Sequence, residues 1–218
     1  MLKKLALATA LIASLGTAHA YQAELNAGYE NTDLDGFSDD VNTFSIGGKY
    51  YLNGVQVKNS PLAEAAFLGR ASNIGLAYAH ANTDDEGAEL KIDTVGINGE
   101  FFIPDSQFYV AGSLNRAEVT VENEFGKVSD DNTGYAVEAG YLPINGLLLA
   151  VGISKENIDA YQAGKKGFIN TFSSASALAD DTAFTLRAKY VTLIGNHYAN
   201  FEASTAFGDE TAYDVAAD

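Results

Sequence analysis

The sequence predicts an all-β protein, an antiparallel up-and-down transmembrane β-barrel of about ten strands. Segments of about ten residues alternate between apolar and polar side chains, which is the period of a strand with one side in lipid. Long acidic connections and short turns separate these segments in alternation. After the first twenty residues, no apolar run approaches the roughly 18 residues that a membrane helix requires.

The N-terminus is predicted to be a secretory signal peptide over 1–20. A basic start at Lys3-Lys4 precedes an apolar stretch over 5–15 that is too short to span a bilayer. Ala18-His19-Ala20 fits the small-x-small pattern of a cleavage site. The expected domains are therefore a signal peptide and a barrel over 21–218, located in the outer membrane. A buried N-terminal helix is the alternative, and it does not account for the cleavage pattern.

Charge and cysteine content exclude several classes of protein. The chain has 13 basic and 29 acidic residues and a formal net charge of −16, which becomes −18 once the two lysines of the signal peptide are lost. Such an acidic protein is repelled by nucleic acid, so that partner class is excluded. The absence of cysteine excludes disulfides, thiolate metal sites and a lipidated N-terminal cysteine.

Ten segments carry the alternation of a membrane strand. In the first, Tyr21, Leu25 and Tyr29 face one side, whereas Glu24 and Asn26 face the other. The ten predicted strands are Tyr21–Glu30, Asn42–Leu52, Ala71–Ala81, Leu90–Ile103, Gln107–Val121, Gly134–Leu142, Leu147–Glu156, Ala183–Val191, His197–Gly208 and Thr211–Asp218. The fourth strand changes phase at Leu90 and Ile92, which predicts a β-bulge, and the fifth changes phase at Val119 and Val121.

The connections predict which end of the barrel faces which compartment. Long acidic loops are predicted over Asn31–Val41, Asn82–Glu89, Glu122–Thr133 and Asn157–Thr182, and tight turns over Pro104–Ser106, Pro143–Gly146 and Leu193–Asn196. Outer-membrane barrels have short periplasmic turns and long extracellular loops, so the tight turns are assigned to the periplasm.

Two connections break this order. Asp209-Glu210 is short at an extracellular position, and Asn53–Arg70 is long at a periplasmic one. In the long connection, Ser60 is predicted to cap a short helix that has Pro61 at its first position. That helix is expected either to cover the periplasmic end or to fold into the lumen.

Aromatic residues favour a bilayer setting, because amphipathic rings prefer the headgroup depth. The chain has 12 Tyr and 12 Phe but no Trp. The rings predicted to form a girdle near the strand ends are Tyr50, Tyr51, Phe101, Phe102, Phe108, Tyr109, Tyr141, Tyr190 and Tyr198.

The polar face of the strands should line an enclosed lumen, since a sheet that spans lipid must close. The charged residues expected to line the pore are Glu24, Lys49, Glu100, Glu138, Arg187, Lys189, Glu202 and Asp214. Five acids against three bases predict a weak cation preference. The alternative is that these residues pair in salt bridges that brace a filled barrel, because about ten strands is just above the size at which side chains fill the interior.

One region of the sequence resembles a known family. Residues 47–75 read GGKYYLNGVQVKNSPLAEAAFLGRASNIG, and this stretch is similar to the general porins of Gram-negative outer membranes. The YQAE start at Tyr21 and the GDETAYDV stretch at 208–215 are also similar, and PLAEAAFL over 61–68 is the most distinctive part. The resemblance runs the length of the mature chain and implies a barrel, an outer-membrane location and passive solute passage, without catalytic residues.

The C-terminus departs from that family. Similar proteins usually end in a strand whose last residue is aromatic and is recognised by the barrel-insertion machinery, whereas this chain ends in Val215-Ala216-Ala217-Asp218. The expectation is therefore that the barrel is incomplete at the C-terminus, and whether further strands follow Asp218 is left open.

Enzymatic chemistry has little support in the sequence. The mature chain has only His80 and His197, which are predicted to lie at opposite ends of the barrel. His80 with Asp84 and Asp85 could form a metal or acidic protease site, but a solvated strand end is the simpler interpretation. Asp33-x-Asp35-Gly lacks the other ligands of a calcium loop. Neither a cofactor nor a metal is therefore predicted.

The predicted function is a porin-like channel for passive diffusion of small hydrophilic solutes. The expected partners are outer-membrane lipid, lipopolysaccharide, small solutes and the barrel-insertion machinery, with the oligomeric state open. Three alternatives are a non-conducting structural or adhesive barrel, an outer-membrane enzyme and a secreted β-sandwich.

Overall fold

The computed structural model describes residues 6–13, 20–32, 40–57, 60–85, 87–155, 182–195, 197–207 and 212–217. In chain order the elements are β1 (Ala6–Ala13), β2 (Ala20–Thr32), β3 (Val41–Gln56), α1 (Leu62–Leu68), β4 (Asn73–Asp85), β5 (Ala88–Phe102), β6 (Phe108–Asn123), β7 (Gly126–Ile144), β8 (Leu147–Lys155), β9 (Ala183–Ile194), β10 (His197–Phe207) and β11 (Ala212–Ala217). No helix in these residues is long and apolar enough to cross a membrane.

The strands form a single up-and-down sheet. Their order in the sheet, β1 to β11, is their order in the chain, and neighbouring strands are antiparallel. β2 to β11 coincide with the ten predicted strands, apart from shifts at their ends. The described strands therefore form one layer, which is not the arrangement of a β-sandwich.

β1 lies within the segment predicted to be the signal peptide. Its backbone pairs with β2, from Ala6 opposite Asn31 to Ala13 opposite Glu24. The structure holds the uncleaved sequence, so this pairing does not test cleavage after residue 20. The signal peptide and the domain boundary at residue 21 stay predictions.

The sheet has an apolar outer face and a more polar, buried inner face. On β7, Tyr135, Val137 and Tyr141 are exposed, whereas Ala136 and Glu138 between them are buried. Outward-facing exposed side chains on other strands include Leu25, Ile46, Leu76, Ile97, Leu114, Val151, Leu186 and Phe201. In water so large an apolar surface would be unfavourable, whereas contact with lipid removes that cost.

The position of α1 shows that the sheet is strongly curved. Ala65 of α1 packs with Val55 of β3, while Glu64 contacts Lys189 on β9 and Asn200 on β10. Six strand spacings separate β3 from β9, which is about 29 Å in a flat sheet. A seven-residue helix is only about 10 Å long. The sheet must therefore curve around α1, which makes the inner face concave.

α1 occupies the predicted position, but its N-cap differs from the prediction. Pro61, not Ser60, is the N-cap residue, with φ −55° and ψ 141°, and no side chain caps the helix. The ring of proline fixes φ, and with ψ extended Pro61 lies outside the helix. The helix therefore begins at the next residue, Leu62.

Two predicted long loops are strand extensions. β4 and β5 stay paired up to Asp85 opposite Ala88, and β6 and β7 up to Asn123 opposite Gly126. The polar sequence suggested loops, but a strand beyond the lipid needs no apolar face to keep its backbone hydrogen bonds. The other predicted loops, over 31–41 and 157–182, and the turn at 209–210 fall largely outside the described residues.

The bulge predicted in the fourth strand is wrong. Pairing is continuous along β5 on both sides, and Ile92 is simply an apolar side chain on the inner face, 9% exposed. Register shifts occur instead between Tyr21 and Ala23 in the β2–β3 pair, and between Tyr141 and Ile144 in the β7–β8 pair.

The aromatic girdle was predicted correctly only in part. Exposed rings on the outer face are Tyr50, Phe101, Phe108, Tyr141 and Tyr190. In contrast, Tyr51, Phe102 and Tyr109 are buried on the inner face, and Tyr198 is half-buried at a cavity near α1. Adjacent residues of a strand point to opposite faces, so one ring of each adjacent pair had to point inward.

Gly146, in the β7–β8 turn, cannot accept a larger side chain without strain. Its φ is +84°, its carbonyl accepts a 2.8 Å hydrogen bond from the Val191 N–H, and a Cβ would overlap the Val191 carbonyl oxygen. Gly195, in the β9–β10 turn, has φ +63° but nothing within 4 Å of its Cβ position.

We therefore expect Gly146→Ala to lower the free energy of unfolding by about 2–3 kcal/mol, and Gly195→Ala by only about 1 kcal/mol. Urea denaturation in detergent micelles measures both values. Equal losses from the two variants would show that the contact with Val191 contributes nothing.

Candidate functional site

The concave inner face is the candidate functional site. Seven of the eight charged residues predicted to line the lumen lie on this face: Glu24 on β2, Lys49 on β3, Glu100 on β5, Glu138 on β7, Arg187 and Lys189 on β9, and Glu202 on β10. The backbone of Asp214 lies opposite Ser204 in β11, and its side chain is outside the described part of the structure.

Arg187 is the centre of a buried ion network. Its Nη2 and Nε lie 2.9 and 3.2 Å from the two carboxylate oxygens of Glu138, and its Nη1 lies 3.1 Å from Glu202 Oε1. The Arg187 and Glu138 side chains are only 7% and 1% exposed. Two parallel N–H···O bonds match the guanidinium to the carboxylate, which is the strongest geometry for such a pair. The network therefore ties β7, β9 and β10 together across the inner face.

Tyrosine and asparagine extend this network toward β4. Arg187 Nη2 donates to the Tyr109 hydroxyl at 3.3 Å, and that hydroxyl donates to Glu100 Oε1 at 3.1 Å. Asn73 Nδ2 donates to the other oxygen of Glu100 at 3.0 Å. The carboxylate of Glu100 thus has a donor on each oxygen, so its negative charge is stabilised inside the fold.

A second group lies on β2 and β3. The Tyr51 hydroxyl donates to Glu24 Oε2 at 2.9 Å, and Tyr21 packs edge-on against Tyr51 with ring centroids 5.5 Å apart. Glu24 and Lys49 are directly opposite each other in the β2–β3 pair. Opposite charges at such a cross-strand position attract, so this part of the inner face also carries both signs.

α1 connects the inner face to the end of the sheet that has the short turns, here called the short-turn end. Glu64 Oε2 lies 3.0 Å from Lys189 Nζ, and Glu64 Oε1 accepts a 2.9 Å hydrogen bond from Asn200 Nδ2. Lys189 Nζ also lies 4.9 Å from the centroid of the Phe67 ring. At the same end, Arg70 Nη1 donates to the Ser106 carbonyl at 3.0 Å.

A cavity of about 510 Å³ lies beside α1 at the short-turn end. It is bounded by the last residues of β3, by Leu68 and Arg70, by Asn145 of the β7–β8 turn, and by Thr192 and Tyr198 of β9 and β10. The helix therefore does not pack tightly against every strand that surrounds it.

Glu64, Tyr109, Tyr51 and Asn73 contribute to the site but were not predicted to do so. Residues two apart in a strand point to the same face, so Tyr51 faces inward with Lys49, and Tyr109 faces inward with the buried Ala111. Counting along each strand could therefore have placed both tyrosines on the inner face. Glu64 had no such signal, because its partner Asn200 is 136 residues away in the chain.

The histidine expectations have mixed outcomes. His80 contacts Asp93, 2.9 Å from Nδ1 to Oδ1, and Asp93 also accepts a 2.5 Å hydrogen bond from the Tyr78 hydroxyl. This partner lies on the neighbouring strand, and the side chain of Asp85, which the prediction also named, is outside the described residues. His197 begins β10 at the opposite end of the sheet. Among the described residues, no group of three or more histidines and carboxylates could hold a metal.

Comparison with known proteins agrees with this architecture. A family described as "Putative general bacterial porin" matches residues 2–218. Among solved structures, the outer membrane protein Omp33 of Acinetobacter baumannii is similar, with 26% identity and a TM-score of 0.60 over 93% of this chain and 71% of that chain. No curated protein sequence matches.

These similarities confirm the predicted fold class, an antiparallel up-and-down outer-membrane barrel, and the predicted outer-membrane location. The family match spans nearly the whole sequence, including the distinctive stretch at 61–68 that forms α1. The chain therefore belongs to the family of general bacterial porins.

Proposed function

We propose that this protein is a passive channel for small hydrophilic solutes, with a weak preference for cations. The observation that carries the proposal is the division of charge between the two faces of the sheet. The outer face is apolar across the strands, while seven charged residues of the strands lie on the concave inner face. Membership of a porin family and similarity to an outer-membrane protein support the same role.

The cation preference follows from the balance of charge in the lumen. Arg187 has Glu138 and Glu202 as partners, so its positive charge is more than matched locally. Glu24 is half-buried and is held by a tyrosine hydroxyl. Rings of acidic side chains favour cations in a pore, because they lower the electrostatic energy of a cation that passes them.

Export and membrane partners form part of the proposal. Residues 1–20 are proposed to direct secretion and to be removed, so the N-terminal residue of the protein isolated from outer membranes should be Tyr21. Lipopolysaccharide, membrane lipid and the barrel-insertion machinery are the proposed partners. N-terminal sequencing or intact mass checks the cleavage site directly.

Planar-bilayer recording tests the channel. We expect discrete conductance steps, and under a KCl gradient a reversal potential on the cation-selective side. Glu24→Gln should move the reversal potential toward zero, because it removes one inner-face negative charge. Glu118→Gln is the control, since Glu118 is exposed on β6 beyond the apolar face. If Glu24→Gln leaves the reversal potential unchanged, Glu24 does not lie on the permeation path.

A non-conducting structural barrel is the second candidate. The burial of the Arg187–Glu138 pair favours it, because a fully paired inner network braces the wall and leaves less open lumen. A bilayer that stays silent although the protein is folded and inserted would support this candidate over the channel.

A further inference from the structure

α1 lies where it can obstruct the inner space at the short-turn end. On one side its Ala65 packs with Tyr51, Val55 and Ala71, which belong to β3 and to the segment after the helix. On the other side its Glu64 contacts β9 and β10. The helix therefore reaches between walls of the sheet that are six or seven strands apart.

The two sides of this attachment differ in kind. The β3 side is a small apolar cluster that is continuous with the chain leading into and out of the helix. Away from β3, the ionic part of the attachment is one carboxylate, Glu64, which is only 12% exposed and binds both Lys189 and Asn200. Phe67 also packs against the apolar cluster of β5 to β8, with its ring centroid 6.4 Å from that of Phe102. The contact of Lys189 with the Phe67 ring adds to the same attachment. Loss of Glu64 would therefore remove the polar contacts of α1 with β9 and β10 and leave its apolar contacts through Ala65 and Phe67.

Release would also leave Lys189 without its carboxylate. Its side chain is 17% exposed, and a partly buried ammonium without a partner is unfavourable, so it would turn toward water. The cavity of about 510 Å³ beside the helix provides space for α1 to shift. A small local change at Glu64 can thus alter the position of the whole helix.

We propose that α1 is a latched plug of the barrel, and that the contacts of Glu64 with Lys189 and Asn200 are its latch. When the latch is closed, the helix narrows the short-turn end of the lumen, and when it opens, permeation increases. This inference rests on the proposed channel function and names how that channel is regulated.

Bilayer recording of three variants tests the latch. Glu64→Gln keeps the shape of the side chain but removes its charge, and we expect it to raise the time-averaged conductance about tenfold, as for other couplings of moderate strength. Lys189→Glu should have a similar effect. The double variant Glu64→Lys with Lys189→Glu restores opposite charges and should return conductance to the wild-type level. A mere change of pore charge would instead move the conductance of the two single variants in opposite directions, because Glu64→Gln removes a negative charge and Lys189→Glu removes a positive one. Glu118→Gln is the matched control.

A second readout follows the helix without relying on conduction. The native chain has no cysteine, so Val55→Cys introduces a single thiol beneath α1 at a position that is 1% exposed. Its rate of reaction with a small charged methanethiosulfonate reagent should rise about tenfold when Glu64→Gln is added, and should not change with Glu118→Gln.

The two readouts separate the latch from the channel. If the wild-type protein conducts, and Glu64→Gln changes neither the conductance nor the rate of thiol modification, the proposed latch is wrong. The proposed channel function is then unaffected. If the thiol becomes reactive while every bilayer stays silent, the channel function fails, and the helix contact is structural rather than regulatory. Agreement of both readouts, with recovery in the charge-swapped double variant, supports the latched plug.

Discussion

Val137→Arg is expected to lower the free energy of unfolding in lipid bilayers by about 2–4 kcal/mol. Val137 lies on the outer face of β7, 56% exposed in the absence of lipid, opposite Gly112 on β6 and Ile153 on β8. In a bilayer this exposure is contact with hydrocarbon. An arginine there must either lose hydration or distort the membrane, and both are unfavourable.

The same strand provides a matched control. Val128 is 73% exposed, but it lies near the tip of the β6–β7 hairpin, well beyond the apolar face. Val128→Arg should therefore change the free energy of unfolding by less than about 0.5 kcal/mol.

Urea-dependent folding into lipid vesicles measures the difference between the two valine variants. If both positions tolerate arginine equally, the outer face is not in contact with lipid, and the assignment of the exposed residues to a membrane surface fails.

The sequence was sufficient to predict β2 to β11 and, for most strands from β2 to β10, which side faces inward. A period of two leaves only two choices per strand, and a single clear charge such as Glu138 or Arg187 decides between them. Seven of the charges predicted to line the pore lie on the inner face, and their part in a pore stays a prediction. The same rule could have identified Tyr51 and Tyr109 as inward-facing residues. Their orientation is set by their position in the alternation and not by the general preference of aromatic rings for the membrane interface.

Contacts between distant parts of the chain were not predictable. Glu64 and Lys189 meet only because the sheet curves, and curvature depends on the summed twist and stagger of all the strands between them. The polar hairpins at 82–89 and 122–133 were mistaken for loops for a related reason. Apolar and polar side chains alternate only where one face of the strand contacts lipid. This alternation disappears where a strand leaves the membrane, although its backbone pairing continues.

Arg187→Gln is expected to have the largest effect among substitutions on the inner face. The guanidinium has three partners, and Glu138 would keep a carboxylate that is 1% exposed without its cation. Removal of one member of a buried ion pair costs about 3–5 kcal/mol, because the remaining charge stays desolvated. We expect a loss of this size in the free energy of unfolding, measured by urea denaturation in micelles.

Arg116→Gln makes the same chemical change at an exposed ion pair. Arg116 Nη2 lies 3.2 Å from Asp131 Oδ2, and these side chains are 64% and 52% exposed. A pair so open to solvent contributes about 0–1 kcal/mol. Added salt should weaken it further, whereas the contribution of Arg187 should change little because buried charges are poorly screened.

A double variant distinguishes the buried charge from the lost packing. If the unpaired carboxylate causes the loss in Arg187→Gln, then adding Glu138→Gln should recover more than half of it, because a neutral amide needs no cation. If the double variant is instead as unstable as the sum of the two single variants, the two side chains act independently and the ion pair is not what holds β7 to β9. Recovery would mean that the stability of the inner face depends on the pairing of Glu138 with Arg187. A substitution of Glu138 intended to alter ion selectivity would then require a compensating substitution of Arg187.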